Sequence, residues 1–197
     1  MARPRSFDRG DVEEALLDVF WARGYARASM EELTAAAGIL RGSLYAAYAG
    51  KEAMFRAAAT RYVEQLRAAL ATNKTGLDGV QHVLDTVVRL TVRDPDRRGC
   101  PILNAIPESH ALSAELREEL QDALRSMQAL LRKRLREALA EAGRTDIDAD
   151  PLVAMLFAAS VAIRVLGRAG QDRKLLQNVA RGAIDAAGRS IDHPRKD

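Results

Sequence analysis

The chain has 197 residues, of which 48% are apolar and 5% aromatic, and a formal net charge of +3; this describes one large or two small globular domains, and richness in Ala, Leu, Arg and Glu favours helix. A single cysteine, Cys100, excludes an internal disulfide and fits a reducing compartment. The start Met-Ala-Arg-Pro-Arg lacks the apolar core of a signal peptide, and the longest strongly apolar uncharged run, Pro151 to Ile163, falls short of the ~20 residues that cross a bilayer, so a soluble, cytoplasmic protein without membrane contact is expected.

The first helix is predicted over roughly Arg9 to Arg23, with Val12, Ala15, Leu16, Val19 and Phe20 as its apolar stripe and Gly24 ending it. Tyr25 can close a small core, and Trp21 beside Phe20 reads as packing. Ser29 followed three residues later by Glu32 is a capping box, which starts a helix at Met30. That helix runs to Gly38, where a left-handed backbone is cheap and a tight turn becomes possible. Another begins near Arg41. Its residues Arg41, Gly42 and Ser43 carry short or fork-shaped side chains, so its start can approach base edges while Leu44 anchors the other face. Tyr45 and Tyr48 can pack with their rings and offer hydroxyls to phosphates. A tight pair of core helices with no DNA role fits the cap, turn and small residues equally well.

Gly38-Ile39, Gly42-Ser43-Leu44-Tyr45, Tyr48 and Gly50-Lys51-Glu52 together resemble the signature of the TetR (tetracycline repressor-like) family of transcription regulators. The motif-bearing resemblance covers about the first quarter of the chain; the remainder is similar in length and helical pattern. Two positions depart from the family. Leu40 stands where relatives often carry Ser, Thr or Asn as a cap, and Ala47 where they often carry His or Tyr as a phosphate contact.

Beyond the motif, a fourth helix is predicted from Lys51 to about Ala71, apolar at Met54, Phe55, Ala58, Tyr62 and Leu66, and a loop from Asn73 to Asp78. Val80, Leu84, Val87, Val88 and Thr91 outline a fifth helix, broken by the prolines and glycine between Asp94 and Pro101. Ile102 to Ile106 can form only a short helical piece before Pro107. A long amphipathic helix follows from near Ser113 to Glu141, stopped by Gly143. Asp150-Pro151 reads as a cap and first-turn proline, opening a helix that is apolar nearly all round. A last helix is predicted from about Asp172 to Ala187. Small residues on these two helices, about 151–167 and 172–188, permit close backbone approach, and pairing with a second subunit as a four-helix bundle is expected.

The fold expected is all-α: an N-terminal three-helix helix-turn-helix head, residues 1–50, joined to a C-terminal helical ligand-binding and dimerisation bundle, residues 51–197. The resemblance implies a ligand-responsive regulator, most often a repressor, that binds a palindromic operator in double-stranded DNA as a homodimer and is released by a small-molecule effector. The alternative is a helical small-molecule binding or scaffolding protein with a weak DNA-binding head. It is motivated by Leu40, Ala47 and a head in which seven basic residues meet seven acidic ones between Met1 and Lys51.

The candidate DNA contacts are Ser29, Arg41, Gly42, Ser43, Tyr45, Tyr48 and Lys51, with Arg3 and Arg5 in an arm suited to a minor groove. Arg41 suits guanine O6 and N7, or a phosphate. Tyr62, Leu66, Cys100, Asn104, Met127, Phe157 and Arg164 are candidate ligand-lining residues, although core packing or an ion pair explains each as well. Cys100 near Arg97 and Arg98 has a setting that can lower a thiol pKa, but a small buried apolar residue is the preferred reading. His82, His110 and His193 lack metal-ligand spacing, and no catalytic constellation or cofactor motif is present, so no enzyme is expected.

Overall fold

A computed structural model describes residues 8–192. Nine α-helices and one 3-10 helix make up the described chain: α1 Arg9–Arg23, α2 Met30–Ala37, α3 Arg41–Ala47, α4 Lys51–Leu70, α5 Gly76–Arg93, α6 Pro101–Ala105, the 3-10 helix Ile106–Ala111, α7 Ala114–Glu141, α8 Ala149–Arg168 and α9 Arg173–Asp192. They fall into two compact units. The first comprises the chain up to Arg67 together with Cys100–Gln121, and the second Ala68–Gly99 together with the chain from Asp122.

In the first unit, Asp8 caps α1 by accepting from the Gly10 N–H at 2.7 Å, and Gly24 closes the helix in a positive-φ conformation. Val12, Leu16, Leu17 and Phe20 face inward with Leu33 and Leu44. Phe20 and Tyr25 each meet Phe55 edge-on, with ring centroids 5.1 and 5.2 Å apart. Trp21 packs edge-on against Tyr62 at 5.3 Å. This aromatic cluster fastens α1 to α4, and it assigns Trp21 to packing.

In the second unit α5, α8 and α9 pack on one another. Val80, Leu84 and Val87 of α5 meet a core that includes Leu156 and Ile163 of α8 and Leu176 and Ala187 of α9. Gly167 sets how closely α5 and α8 approach, since a Cβ there would collide with Thr91 Cγ2. Arg134 of α7 lies beneath the start of α5. Its guanidinium donates to Glu137 at 3.1 Å and to the Thr72 carbonyl at 3.3 Å.

Several element ends differ from the sequence expectation, each for a local reason. α5 begins at Gly76 rather than after Asp78, because Thr75 donates to Glu141 at 3.0 Å and fixes the preceding turn. Helical backbone continues through Pro107, which occupies the first turn of the 3-10 helix, where a missing N–H forfeits no bond. Asp148, not Asp150, caps α8, accepting from the Asp150 N–H at 3.0 Å. α9 runs past Ala187 to Asp192 because Ile191 is buried and its carbonyl accepts from Arg144.

Starting at Ala149, α8 reaches 20 residues and contains an 18-residue stretch of mean hydropathy 1.8, long and apolar enough by composition to cross a membrane. A core helix passes the same test, and α8 packs against α5 and α9 with Val153, Leu156 and Ile163 buried.

Candidate nucleic-acid interface

Both halves of the capping box form: Ser29 Oγ accepts from the Glu32 N–H at 3.1 Å, and Glu32 accepts from the Ser29 N–H at 3.0 Å. The Ser29 backbone N–H and hydroxyl, aided by Arg23 at 2.9 Å, hold the Glu32 carboxyl below its ordinary pKa. Gly38 adopts φ 63°, the left-handed conformation that turns the chain from α2 towards α3 within three residues. Leu40 then takes the N-cap position with an extended backbone and makes no side-chain cap bond.

α3 has two sharply different faces. Leu44 is fully buried beneath it. On the other side Leu40, Arg41, Gly42, Ser43, Tyr45, Ala46 and Ala47 are exposed. The Arg41 guanidinium lies over the Tyr45 ring, 5.6 Å from its centroid, which restricts a flexible cation before any partner arrives. No Asp or Glu occurs from Leu33 to Gly50. Three acids elsewhere in the head are engaged: Glu13 with Arg9 at 2.9 Å, Glu14 with Arg61 at 3.2 Å, and Glu32 with Arg23. The formal neutrality of the head is thus unevenly distributed, with an acid-free surface around one arginine.

Two other nominated residues are held within the head. Tyr48 is 4% exposed, with its hydroxyl 3.5 Å from Glu13 and Arg9 stacked over its ring. Burial, with Glu13 adding to it, raises its pKa above the ordinary value. Lys51 donates to the Ala26 carbonyl at 3.0 Å and lies 5.0 Å from the centroid of Tyr25. Burial lowers its pKa, and the nearby charge of Glu108 opposes that shift. Arg3 and Arg5 lie outside the described residues.

Sequence inspection missed Glu108. Its carboxylate accepts from the Ala26 N–H at 2.9 Å, on the same loop that Lys51 holds. The two residues are 82 positions apart and share no local pattern that would pair them.

The ligand-lining candidates are distributed over both units: Tyr62, Leu66, Cys100 and Asn104 in the first, and Met127, Phe157 and Arg164 in the second. Tyr62, Cys100 and Arg164 are buried, at 4, 6 and 6% exposure. The Cys100 thiol is free, and its backbone carbonyl accepts from the Asn104 N–H at 2.9 Å. An open cavity of about 540 Å³ lies along α7 between Ala129 and Ala140, and none of these candidates lines it. Among the described residues no cluster of three or more His, Cys, Asp or Glu side chains is arranged to hold a metal ion.

Comparison with known proteins agrees with this geometry. Residues 14–58 match the family described as bacterial regulatory proteins, tetR family, and residues 76–183 the tetracyclin repressor-like C-terminal domain. The chain is 36% identical over 66 residues to the HTH-type transcriptional repressor ComR of Escherichia coli K12, covering 34% of this chain and 31% of ComR. It is 31% identical over 120 residues to the HTH-type transcriptional regulator YezE of Bacillus subtilis 168, covering 59% of this chain and 62% of YezE. The chain thus spans less than two thirds of either curated relative. A solved structure of a cysteine mutant of the TetR-family regulator CifR, in complex with 26-bp operator DNA, superposes with a TM-score of 0.81 at 33% identity, covering 93% of this chain and 99% of that one. The described fold, all helical with its helix-turn-helix near the N-terminus, is that of the operator-bound CifR structure. On both domain matches and this structural likeness, the chain belongs to the TetR family of transcription regulators.

Proposed function

We propose that this chain is a DNA-binding transcription regulator, most specifically a repressor, that grips a palindromic operator in the cytoplasm as a homodimer. The observation that carries the reading is the exposed, acid-free face of α3, with small residues at Gly42, Ser43, Ala46 and Ala47 and the Arg41 fork over Tyr45. Such a face enters a major groove closely, and an arginine fork matches guanine O6 and N7. Residues 1–50 form the reading head in this proposal, with Ser29 holding α2 in place, and residues 51–197 provide dimerisation and ligand binding. The operator-bound CifR structure supports the choice of double-stranded DNA as partner.

Homodimerisation is assigned to α8 and α9. Ala154, Ala158 and Val165 of α8 remain exposed in the single chain, although the helix is apolar nearly all round. A second copy covering that face would place two heads on half-sites about one helical turn, ~34 Å, apart. Effector binding among the helices after Lys51 would favour a head spacing that the operator does not match, releasing repression. Effector and DNA then weaken each other's binding by the same factor.

The deciding experiment is a fluorescence-anisotropy titration of the full chain against DNA upstream of its own gene, repeated over a range of salt. Sequence-preferring binding whose affinity falls steeply with salt is expected, with several phosphates contacted per dimer. Absence of binding at low salt would assign the chain to small-molecule binding or scaffolding instead. Equal effector affinity for free and DNA-bound protein would overturn the release mechanism.

A further inference from the structure

Leu40 is 80% exposed, far more than any other large apolar side chain among the described residues; the next are Val165 at 56% and Ile106 at 50%. It also occupies the N-cap position of α3, where Ser, Thr, Asn or Asp would bond a free backbone N–H and where its own side chain makes no such bond. The residue therefore contributes little to the fold on two counts: it buries almost nothing, and it forgoes a cap. Local choices that work against stability concentrate at functional surfaces. Its neighbours on that surface are Arg41, Gly42 and Ser43, so an apolar group stands directly beside the candidate guanine-reading cation.

Building on the DNA-binding reading above, we infer that Leu40 is a specificity-determining residue that packs against the 5-methyl group of a thymine next to the base read by Arg41. The chemistry selects this occupant. Of the groups that base pairs present in the major groove, donors and acceptors offer nothing to a leucine, while the thymine methyl is apolar. Burying Leu40 against it removes from water the surface that the free protein leaves exposed. The backbone at Leu40, φ −62° and ψ 142°, is extended and unstrained, so the side chain needs no rearrangement of the turn to be presented.

The test begins with an operator selected from random double-stranded DNA by the full chain. Each thymine is then replaced in turn by deoxyuridine, which removes only the methyl group. One thymine per half-site is expected to lose about fourfold in affinity on replacement, the worth of one buried methyl. Leu40→Ser, which restores a capping hydroxyl, should bind thymine and uracil operators equally while keeping its thermal stability. Leu40→Met should retain the methyl dependence. Wild-type binding indifferent to every replacement, or a Leu40→Ser variant with an undiminished methyl penalty, overturns the inference and leaves the regulator reading standing. Failure to select any operator overturns both.

Discussion

The Glu108 carboxylate accepts the Ala26 N–H at 2.9 Å, while Lys51 donates to the Ala26 carbonyl at 3.0 Å, so one residue of the α1–α2 loop is held by its own amide and carbonyl from two directions. The loop carries the chain from α1 into the capping box at Ser29, and its geometry therefore positions α2 and α3. Glu108 lies in the 3-10 helix that follows Cys100 and α6, and the same carboxylate lies 2.6 Å from the position a Cβ would take at Gly24. Gly24 has φ 80°, where a side chain is strained irrespective of space. Glu108→Ala should cost on the order of 1 kcal/mol, since this hydrogen bond to a charged group is solvent-exposed, and accelerate hydrogen exchange at the Ala26 amide. Gly24→Ala should destabilise by about 1 kcal/mol or more through backbone strain, before any displacement of Glu108. Unchanged Ala26 exchange in Glu108→Ala would show that Lys51 alone holds the loop.

Acid sensitivity should arise from carboxylates held below their ordinary pKa by hydrogen bonds, which are Glu32, Glu115, Glu137 and Asp146 among the described residues. Glu32 is held below its ordinary pKa by the backbone and hydroxyl of Ser29, and Asp146, bonded to Arg144 at 2.8 and 2.7 Å, falls to about 2. A carboxylate with a depressed folded pKa stabilises the fold above its unfolded value and loses that contribution as pH falls through the folded one. The Asp146 contribution should therefore be present at neutral pH and disappear between about pH 4 and 2. That of Glu32 should begin to fade below its ordinary value of 4.5. In melting curves recorded against pH, Asp146→Asn should be less stable than wild type at pH 6 and converge with it near pH 2. Parallel curves over that range would remove Asp146 as a source of acid sensitivity.

The motif helices were legible because their determinants are local. Ser29 and Glu32 are three residues apart, Gly38 needs no partner to adopt its turn, and the start of α3 follows. What the sequence concealed depends on distant pairing or on three-dimensional direction. Nothing near Glu108 points to Ala26, and nothing near Tyr48 announces that its hydroxyl turns to Glu13 while Tyr45 stays at the surface. Asp148 rather than Asp150 caps α8: the two are equally good capping residues, and only the Asp148–Asp150 N–H bond distinguishes them. The last helix runs beyond the expected Ala187, and only the burial of Ile191 and its bond from Arg144 show that it continues. The neutral charge count of the head hides its distribution: Glu13, Glu14 and Glu32 are paired elsewhere, and α3 carries no acid.

Gly167 and Thr91 give a paired prediction for the second unit. A Cβ at Gly167 would collide with Thr91 Cγ2, on a helix that cannot retreat without opening the packing around Ile163 and Leu176. Gly167→Ala should destabilise by about 1–3 kcal/mol through overpacking, despite the better helix propensity of Ala. Thr91→Ser removes the offending methyl while keeping a hydroxyl that can donate to the Val87 carbonyl, which Thr91 does at 2.8 Å. The double variant should therefore recover much of the loss, giving a coupling energy on the order of 1 kcal/mol in denaturant titrations. Strictly additive effects would show that the two helices relax apart independently of this contact.

The dimer proposal rests on Val165, which can be tested apart from the head. Val165 is 56% exposed on α8, beside the exposed Arg168 and in the same helix as the exposed Ala154 and Ala158. An exposed charge there costs the isolated chain almost nothing, since the side chain already meets water. Across a two-fold interface the same substitution is repeated on both copies, and each charge must lose hydration on association. Val165→Glu should therefore leave the circular dichroism spectrum and the Ala26 exchange rate unchanged while shifting sedimentation from dimer to monomer. Operator affinity should fall with it, since two weakly held half-sites would no longer be linked. A Val165→Glu protein that still sediments as a dimer would move the interface away from this face of α8.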